Sequence, residues 1–369
     1  MADKASQIAV DSDIHSRVTP SALTAKEWDW HKTDDHFLQR ADVHDHIDAD
    51  ALQEIHPVRF TAYRKFREAT REYFAEMLGC TVLILCGDGA VAQKVLTDGE
   101  YGNPAMINTC FGAGVMFGYF VATAGGAEAH LNPAVTFSNC VFRKFPWWKA
   151  PLYMLAQFIG CAFGAAIVFG TYRNALHEFD GGKRQVLGDK STAGIYCTYP
   201  ASFLDLPGKV MQEITASALL SFMLNGIGTQ SSIGLNYRLP GEWGLVRGIA
   251  LMIAIYTIGS SVGWQTGYAI NPARDFGPRM VSYMAGYSRE VFSAYDHYFW
   301  IPLFVPFFGT LLGQLVFDFM VYEGTDDNII TEPESFLKMI GRGRATTPVS
   351  TPTTIDVEKR SDDHKVLTA

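Results

Sequence analysis

Asn271-Pro272-Ala273-Arg274-Asp275 is the stretch that decides the fold, and its first three residues recur at Asn132-Pro133-Ala134. Asn is a preferred N-cap residue and Pro is favoured at the first helical position, so each triplet predicts the start of a helix. The cap uses the side-chain oxygen of Asn as an acceptor, which leaves its NH2 group free to donate elsewhere. The two triplets lie 139 positions apart, counted from Asn132 to Asn271, and each follows an apolar stretch. This repetition indicates an internal duplication.

The chain is polar at both ends and apolar in its centre. It has 369 residues, a formal net charge of −8 and a mean hydropathy of +0.05, which is low because the polar ends dilute the apolar middle. The middle contains runs near the roughly 20 residues that cross a bilayer as a helix. We therefore predict six membrane spans, near 74–93, 104–125, 147–171, 210–227, 243–262 and 298–322. The negative charge comes largely from the ends, so it gives no reason to expect a nucleic-acid partner.

Composition also divides the chain into a polar tail (1–68), a membrane domain (69–322) and a second polar, disordered tail (323–369). Six spans return the chain to the side on which it began. The positive-inside rule places both tails in the cytoplasm. The basic residues behind this assignment are Arg59, Arg64, Lys65, Arg67, Arg71, Arg143, Lys144, Lys149, Arg238, Arg247, Lys338, Arg342 and Arg344. Lys183, Arg184 and Lys190 are exceptions in a long loop expected outside, where the rule is weakest.

Several residues outside the main pattern have alternative interpretations. His44-Asp45-His46 contains metal-binding residue types, but a solvated segment is the favoured interpretation, and we expect no metal and no cofactor. The six cysteines have no metal-ligand spacing and are predicted to be small buried hydrophobic residues. Trp28 and Trp30 suggest a short segment that docks on another surface. Thr347 and Thr351 each precede a proline and offer sites to a proline-directed kinase, against the alternative of an ordinary disordered tail.

Two acidic residues extend the repeat. Glu76 lies early in the first span and Glu213 early in the fourth, 137 positions later. A carboxylate at membrane depth is costly and is usually functional or paired, so equivalent positions argue for a shared structural role. Three spans per half is an odd number, so the second copy (about 209–322) must be inverted relative to the first (about 69–208). The predicted fold is an all-α membrane protein with six transmembrane helices and two half-helices in an inverted repeat.

The runs after the two triplets are too short to cross a membrane alone. Asn132–Phe142 and Asn271–Tyr283 would each be near 15 Å long at the helical rise of about 1.5 Å per residue. An inverted repeat brings their positive N-termini together at mid-membrane. The stretches 128–131 and 267–270 that lead into them would expose backbone carbonyls to a lumen. Such a lumen suits a neutral, hydrogen-bonding solute and opposes cations, including protons.

At these residues the chain resembles a known family. The stretches from Ala129 to Thr136 (Ala-His-Leu-Asn-Pro-Ala-Val-Thr) and from Asn271 to Arg279 (Asn-Pro-Ala-Arg-Asp-Phe-Gly-Pro-Arg) are similar to the two signature loops of the major intrinsic protein family. Asp275, Arg279 and the segment 192–200 resemble its aquaglyceroporin branch, and the long polar tails resemble fungal members. The resemblance covers about residues 70–322. It implies a passive plasma-membrane channel for glycerol, small polyols and water that excludes ions and protons, in a homotetramer surrounded by membrane lipid.

The resemblance also implies roles for individual residues. Arg274 matches the arginine of the selectivity filter, Tyr268 stands where glycerol facilitators often have Phe, Gly259 matches the small residue that widens the constriction, and Phe111 matches the remaining aromatic residue. The implied pore-lining residues are Ala129, His130, Gly267 and Ala269, beside the triplets Asn132-Pro133-Ala134 and Asn271-Pro272-Ala273. Glu76 and Glu213 match residues that brace the pore loops. The chain departs from the family at Glu128, where Gly is usual, and at Tyr268, whose hydroxyl could narrow the constriction or add a polar contact.

Two other classes of protein are alternatives to a channel. An ion- or proton-coupled secondary transporter would use Glu76, Glu213 or Asp88 and would depend on pH or membrane potential. An intramembrane enzyme would need a nucleophile with a base, or a metal triad. His130 is the histidine of the apolar core, and no Ser, Cys or metal partner is positioned for it by sequence. We therefore do not expect an enzyme.

Overall fold

The computed structural model describes residues 62–233 and 240–321, and within these ranges the chain is helical, without strands. The segments that we number are α1 (Ala62–Leu96), α2 (Pro104–Ala124), α3 (Pro133–Phe142), α4 (Ala150–Thr171), α5 (Arg173–Asp180), α6 (Leu206–Ile233), α7 (Pro240–Val262), α8 (Pro272–Ser282), α9 (Glu290–His297) and α10 (Trp300–Met320). A 3-10 turn (Ala193–Ile195) lies in the long loop after α5, and a π turn (Tyr283–Tyr287) follows α8.

Helices α1, α2, α4, α6, α7 and α10 are long and apolar enough to cross a membrane. Helices α3 and α8 have only 10 and 11 residues, so each reaches about halfway across the hydrocarbon core. The predicted fold class of six transmembrane helices and two half-helices is confirmed. The predictions about Trp28, Trp30, the cluster at 44–46, the two Thr-Pro sites and the basic residues 59, 238, 338, 342 and 344 lie outside the described residues.

The first helix begins earlier than the sequence predicts. The apolar stretch places the first span near 74–93, whereas α1 covers Ala62–Leu96, 35 residues in all. At about 1.5 Å per residue this is longer than the roughly 30 Å of the hydrocarbon core. Its first turns are rich in Ala, Arg, Lys and Glu, which favour a helix without being apolar. Hydropathy marks where a helix can contact lipid, and it does not mark where the helix starts.

Pairs of glycines bring the helices of each half into close contact. In the first half, a Cβ atom on Gly160 would overlap the carbonyl oxygen of Met77, and one on Gly164 would lie 2.8 Å from that of Thr81. In the second half, Gly309 and Gly313 of α10 approach the backbone of Ile214 and Ala218 on α6 in the same way. Both pairs have the small-xxx-small spacing that lets membrane helices approach closely. The α1–α4 and α6–α10 contacts are thus equivalent features of the two repeats.

Other contacts join the two halves. Helix α2 packs against its repeat equivalent α7, half-helix α8 packs against α4, and half-helix α3 packs against α10. The two half-helices also contact each other. Each half-helix is therefore held by a spanning helix that belongs to the opposite repeat, as α3 is by α10.

Candidate pore and its constriction

Asn132 and Asn271 cap the two half-helices and also connect them. The Oδ1 atom of Asn132 accepts from the N–H of Ala134 at 2.9 Å, and that of Asn271 accepts from Ala273 at 3.0 Å. The amide group of Asn132 donates to the carbonyl of Ile270 at 2.9 Å, and that of Asn271 donates to Leu131 at 2.7 Å. The sequence predicts a free NH2 group, but one of its N–H bonds is taken by the opposite loop. The second N–H of each amide can donate to a solute.

The loops before the two caps have the same strained backbone. Ala129 and Leu131 have φ angles of 55° and 53°, and their repeat equivalents Tyr268 and Ile270 have 38° and 45°. Positive φ is unfavourable for residues with a side chain, and for β-branched Ile270 it is exceptional. Each such residue costs about 1–3 kcal/mol and persists only where its surroundings impose it. The strain repeats at equivalent positions, so it belongs to the architecture of both loops.

Glu76 and Glu213 hold these strained loops. Glu76 accepts from the backbone N–H groups of His130 at 2.7 Å and Leu131 at 2.9 Å. Glu213 accepts from those of Ala269 at 3.1 Å and Ile270 at 3.0 Å. Both carboxylates are fully buried. Hydrogen bonds to a charged acceptor are about twice as strong as neutral ones, which suits a group that must hold an unfavourable backbone.

A cavity of about 510 Å³ runs past both half-helix N-termini. Of the predicted pore-lining residues, its wall includes Ala129, His130 and Ala269, together with Asn132 and Asn271. Gly267 is not among the wall residues; it has a φ of 77° and lies against Thr198. Its pore-lining role stays a prediction. The charged wall residues are Glu128, Arg143, Lys144 and Arg247 toward the end of α3, and Arg274 beyond the centre.

Arg274 lies on the cavity wall together with two aromatic residues, Phe111 and Tyr268. The guanidinium carbon of Arg274 lies 4.5 Å from the centroid of the Phe111 ring. Phe111 and Tyr268 meet edge to face, with 6.1 Å between their ring centroids. The Nη1 atom of Arg274 donates to the carbonyl of Tyr196 at 3.4 Å and lies 3.9 Å from a carboxylate oxygen of Asp88. Three of the four residues assigned to the filter thus meet at one place.

Gly259, the fourth, stands behind Tyr268. A Cβ atom on Gly259 would lie 2.8 Å from Cζ of Tyr268 and 2.5 Å from Oδ1 of Asn108. The missing side chain therefore makes room for two other side chains, and Gly259 is not among the residues of the cavity wall. The hydroxyl of Tyr268 donates to Oδ1 of Asn108 at 2.8 Å. The Tyr268 hydroxyl is therefore already hydrogen-bonded within the protein.

Asp275 and Arg279 form a fully buried ion pair that holds the outer loop. The Nε atom of Arg279 donates to Asp275 at 2.8 Å, and its Nη2 atom donates to the carbonyl of Thr198 at 2.8 Å. Asp275 in turn accepts from the backbone N–H of Thr198 at 2.7 Å and from its hydroxyl at 2.6 Å. The sequence identifies this pair by resemblance alone, and the structure adds the contact with loop 192–200. That loop carries the Tyr196 carbonyl that Arg274 contacts.

Sequence reasoning overlooked three polar residues of this region. Asn108 contacts Tyr268, Gln157 donates to Glu76 at 3.3 Å and to Thr136 at 3.0 Å, and Thr198 binds Asp275. Asn108 and Gln157 lie inside predicted spans, and an uncharged polar residue at membrane depth is itself a signal for a specific partner. Thr198 lies inside the outer-loop segment that resembles the aquaglyceroporin branch.

Two half-helices that meet at their capped N-termini beside a shared cavity define a membrane channel of the aquaporin architecture. The family described as Major intrinsic protein matches residues 64–317, and the chain belongs to this family. It is 42% identical over 287 residues to the probable aquaglyceroporin-2 of Gibberella zeae, covering 77% of this chain and 82% of that protein. It is 42% identical over 283 residues to aquaglyceroporin-9 of Botryotinia fuckeliana, covering 76% and 60% respectively. The X-ray structure of the aquaglyceroporin from Plasmodium falciparum matches with a TM-score of 0.60 and 28% identity, over 68% of this chain and 96% of that one.

The predicted membership of the aquaglyceroporin branch is confirmed by these relatives. The chain is therefore a multi-pass membrane protein and a passive channel of the glycerol- and water-conducting class. Its family consists of channels, which separates it from the intramembrane enzymes. The comparisons give no support to the coupled-transporter alternative.

Proposed function

We propose that this chain conducts glycerol and other small polyols, with water, through a filter formed by Arg274, Phe111 and Tyr268. The observation that carries the proposal is this cluster on the cavity wall, in which the Arg274 guanidinium lies over the Phe111 ring and the Tyr268 ring meets Phe111 edge to face. A polyol has a carbon backbone that can lie on the rings and hydroxyl groups that need donors and acceptors. Arg274 supplies up to five N–H donors, and the Tyr196 carbonyl beside it supplies an acceptor with a second lone pair.

Cation exclusion follows from fixed positive potential along the path. Two half-helix N-termini meet at the centre, each equivalent to about half a positive charge. Arg274 adds a full charge at the constriction. The NH2 groups of Asn132 and Asn271 offer donors but no acceptor to a passing water molecule. A solute that crosses must therefore be neutral and able to accept hydrogen bonds.

Glu76 and Glu213 act as braces in this proposal and not as proton carriers. Each carboxylate oxygen already accepts a backbone N–H from the adjoining pore loop. If one of these oxygens were protonated, its O–H group would face a backbone N–H group, and two donors would be in contact. A cycle of protonation and release would disrupt the loop that forms the pore, which disfavours a coupled mechanism.

The remaining features of the proposal concern the setting of the channel. We place it in the plasma membrane as a homotetramer with one pore per subunit, and both termini in the cytoplasm. Among the described residues, the charges Arg143, Lys144 and Lys149 between α3 and α4 support this orientation. Exposed apolar side chains such as Leu155, Phe163 and Phe308 suit contact with lipid or with another subunit. Thr347 and Thr351 remain candidate kinase sites.

Stopped-flow light scattering on proteoliposomes tests the proposal. Purified protein should accelerate both glycerol and water flux over empty liposomes, and flux should be unchanged by a protonophore or by an imposed membrane potential. Water flux without glycerol flux would refute the solute assignment. Flux that responds to the proton gradient would instead favour the coupled transporter.

A further inference from the structure

Asn108 on α2 contacts the proposed filter from behind, and nothing in the sequence pattern assigns it a role. It lies one helical turn before Phe111 on the same face of α2, and it is 6% exposed. Its Oδ1 atom accepts from the Tyr268 hydroxyl at 2.8 Å, and its Nδ2 atom donates to Oγ of Ser260 at 3.1 Å. The amide is thus oriented so that its oxygen faces the Tyr268 hydroxyl.

The ring of Tyr268 lies against two glycines, Gly259 of α7 and Gly263 directly after the end of that helix. A Cβ atom on Gly259 would lie 2.8 Å from Cζ, and one on Gly263 would lie 2.5 Å from Cδ1 of the ring. The absence of side chains at both positions leaves a groove for the ring. The ring fits in this groove, and its hydroxyl reaches Asn108 at the far end.

A buried phenol hydroxyl without a partner is costly, by about 1–3 kcal/mol. Without the Asn108 oxygen, we expect the Tyr268 hydroxyl to turn toward the lumen, where the ring would lie in the path beside Arg274. Phe at this position would have no such requirement.

From these contacts we infer that Asn108 is a specificity-determining positioning residue. It retains the Tyr268 hydroxyl outside the path and so keeps the constriction wide enough for a polyol. The inference deepens the proposed function and rests on it, because it concerns the width of that same filter. Asn108 acts through Tyr268 and does not itself contact the solute.

The test is a double-mutant comparison in proteoliposomes, with water flux as the internal reference. Asn108→Leu keeps the approximate volume but removes the acceptor, and it should lower the glycerol-to-water permeability ratio on the order of tenfold, as for a misplaced specificity contact. Tyr268→Phe alone removes the hydroxyl and is the background against which the effect of Asn108→Leu is measured. In that background Asn108→Leu should have no further effect, so the double variant Asn108→Leu/Tyr268→Phe should have the ratio of Tyr268→Phe alone, because the group that turned inward is gone.

Each remaining outcome also decides the question. An unchanged ratio in Asn108→Leu, or a lowered ratio that Tyr268→Phe does not recover, would overturn the inference and leave Asn108 as an ordinary packing residue. If Asn108→Leu fails to reach a monodisperse state, Asn108→Ala removes the acceptor without adding volume and is judged by the same rescue. A wild-type chain that passes water but no glycerol would overturn the proposed function instead. In that case the inference about the width of the filter is tested by measuring the largest solute that passes each variant. A Tyr268 ring that turns into the path would lower this size limit for every solute.

Discussion

The role of Arg274 depends on several neighbouring residues. Its position after Asn271-Pro272-Ala273 places it in the first turn of α8, and its side chain reaches Phe111, the Tyr196 carbonyl and the neighbourhood of Asp88. Asp88 is fully buried, and both of its carboxylate oxygens lack a hydrogen-bond partner among the described side chains and backbone. Arg274 therefore faces the cavity on one side and the buried Asp88 carboxyl group on the other.

Replacing Arg274 by Ala should loosen selectivity. The variant should pass larger neutral solutes and small cations that the wild type excludes, because both donors and positive charge leave the constriction. Solute and ion fluxes in proteoliposomes measure this. Unchanged selectivity would place the filter elsewhere.

The matched control for that variant is Asp88→Asn/Arg274→Ala. Arg274→Ala alone leaves the buried Asp88 carboxyl group without the guanidinium that lies 3.9 Å from it, which should also lower stability. The double variant replaces the carboxyl group as well, so it should be more thermostable than the single variant while having the same loosened selectivity. This comparison separates a filter effect from partial unfolding.

At the scale of elements, the helices are positioned by glycine contacts that cannot tolerate a methyl group. Gly160→Ala should sharply destabilise the α1–α4 contact, because the new Cβ would overlap the backbone oxygen of Met77, which has no rotamer to move into. Overpacking of this kind typically lowers the free energy of unfolding by about 1–3 kcal/mol. Thermal unfolding in detergent, followed by size-exclusion chromatography, measures it.

Gly170→Ala is the control in the same helix. A Cβ atom at Gly170 has no neighbour within 4 Å, and Ala is favoured over Gly in a helix by about 1 kcal/mol. The control should be neutral or stabilising. Equal losses in both variants would show that the close contact with Met77 does not explain the effect of Gly160→Ala.

The link between α8 and the outer loop gives another element-scale prediction. Asp275→Asn replaces one acceptor oxygen by a donor that faces the N–H of Thr198 and the guanidinium of Arg279. Hydrogen exchange of the backbone N–H groups in 196–199 should become faster, and glycerol permeability should fall as the Tyr196 carbonyl moves. Protection identical to that of the wild type would mean that the loop is held by other contacts.

At the scale of the whole molecule, the two repeats are joined at the centre of the pore by reciprocal hydrogen bonds. The bond from Asn132 to Ile270 and the bond from Asn271 to Leu131 are related by the internal duplication. Each connects the cap of one half to the strained loop of the other. The halves are therefore joined by the same side chains that face the solute.

Asn132→Asp should separate capping from this connection. The carboxylate still caps α3, but it cannot donate to Ile270 and would face that carbonyl as a second acceptor. We expect lower thermal stability and weaker exclusion of cations, since a negative charge replaces a donor at mid-membrane. Calorimetry and ion-flux assays measure these effects. Asn271→Asp is the symmetric variant and should behave alike; opposite behaviour would show that the repeats are not functionally equivalent here.

Local chemistry determined much of this protein. Hydropathy, Asn-Pro capping and the equivalent acidic residues predict the six spans, the half-helices and the inverted repeat, because each depends on near neighbours in sequence or on a simple length. The start of α1 at Ala62 was not predicted, because hydropathy marks only the apolar span near 74–93 and helix propensity extends beyond it. Only the tertiary structure decided the amide connections between the repeats, the contact of Asp275 with Thr198, and the contact of Tyr268 with Asn108, 160 positions away. The physical reason is that each of these bonds joins two groups that are distant in sequence and must be positioned to within a few tenths of an ångström. Only the packing of the whole fold specifies such positions.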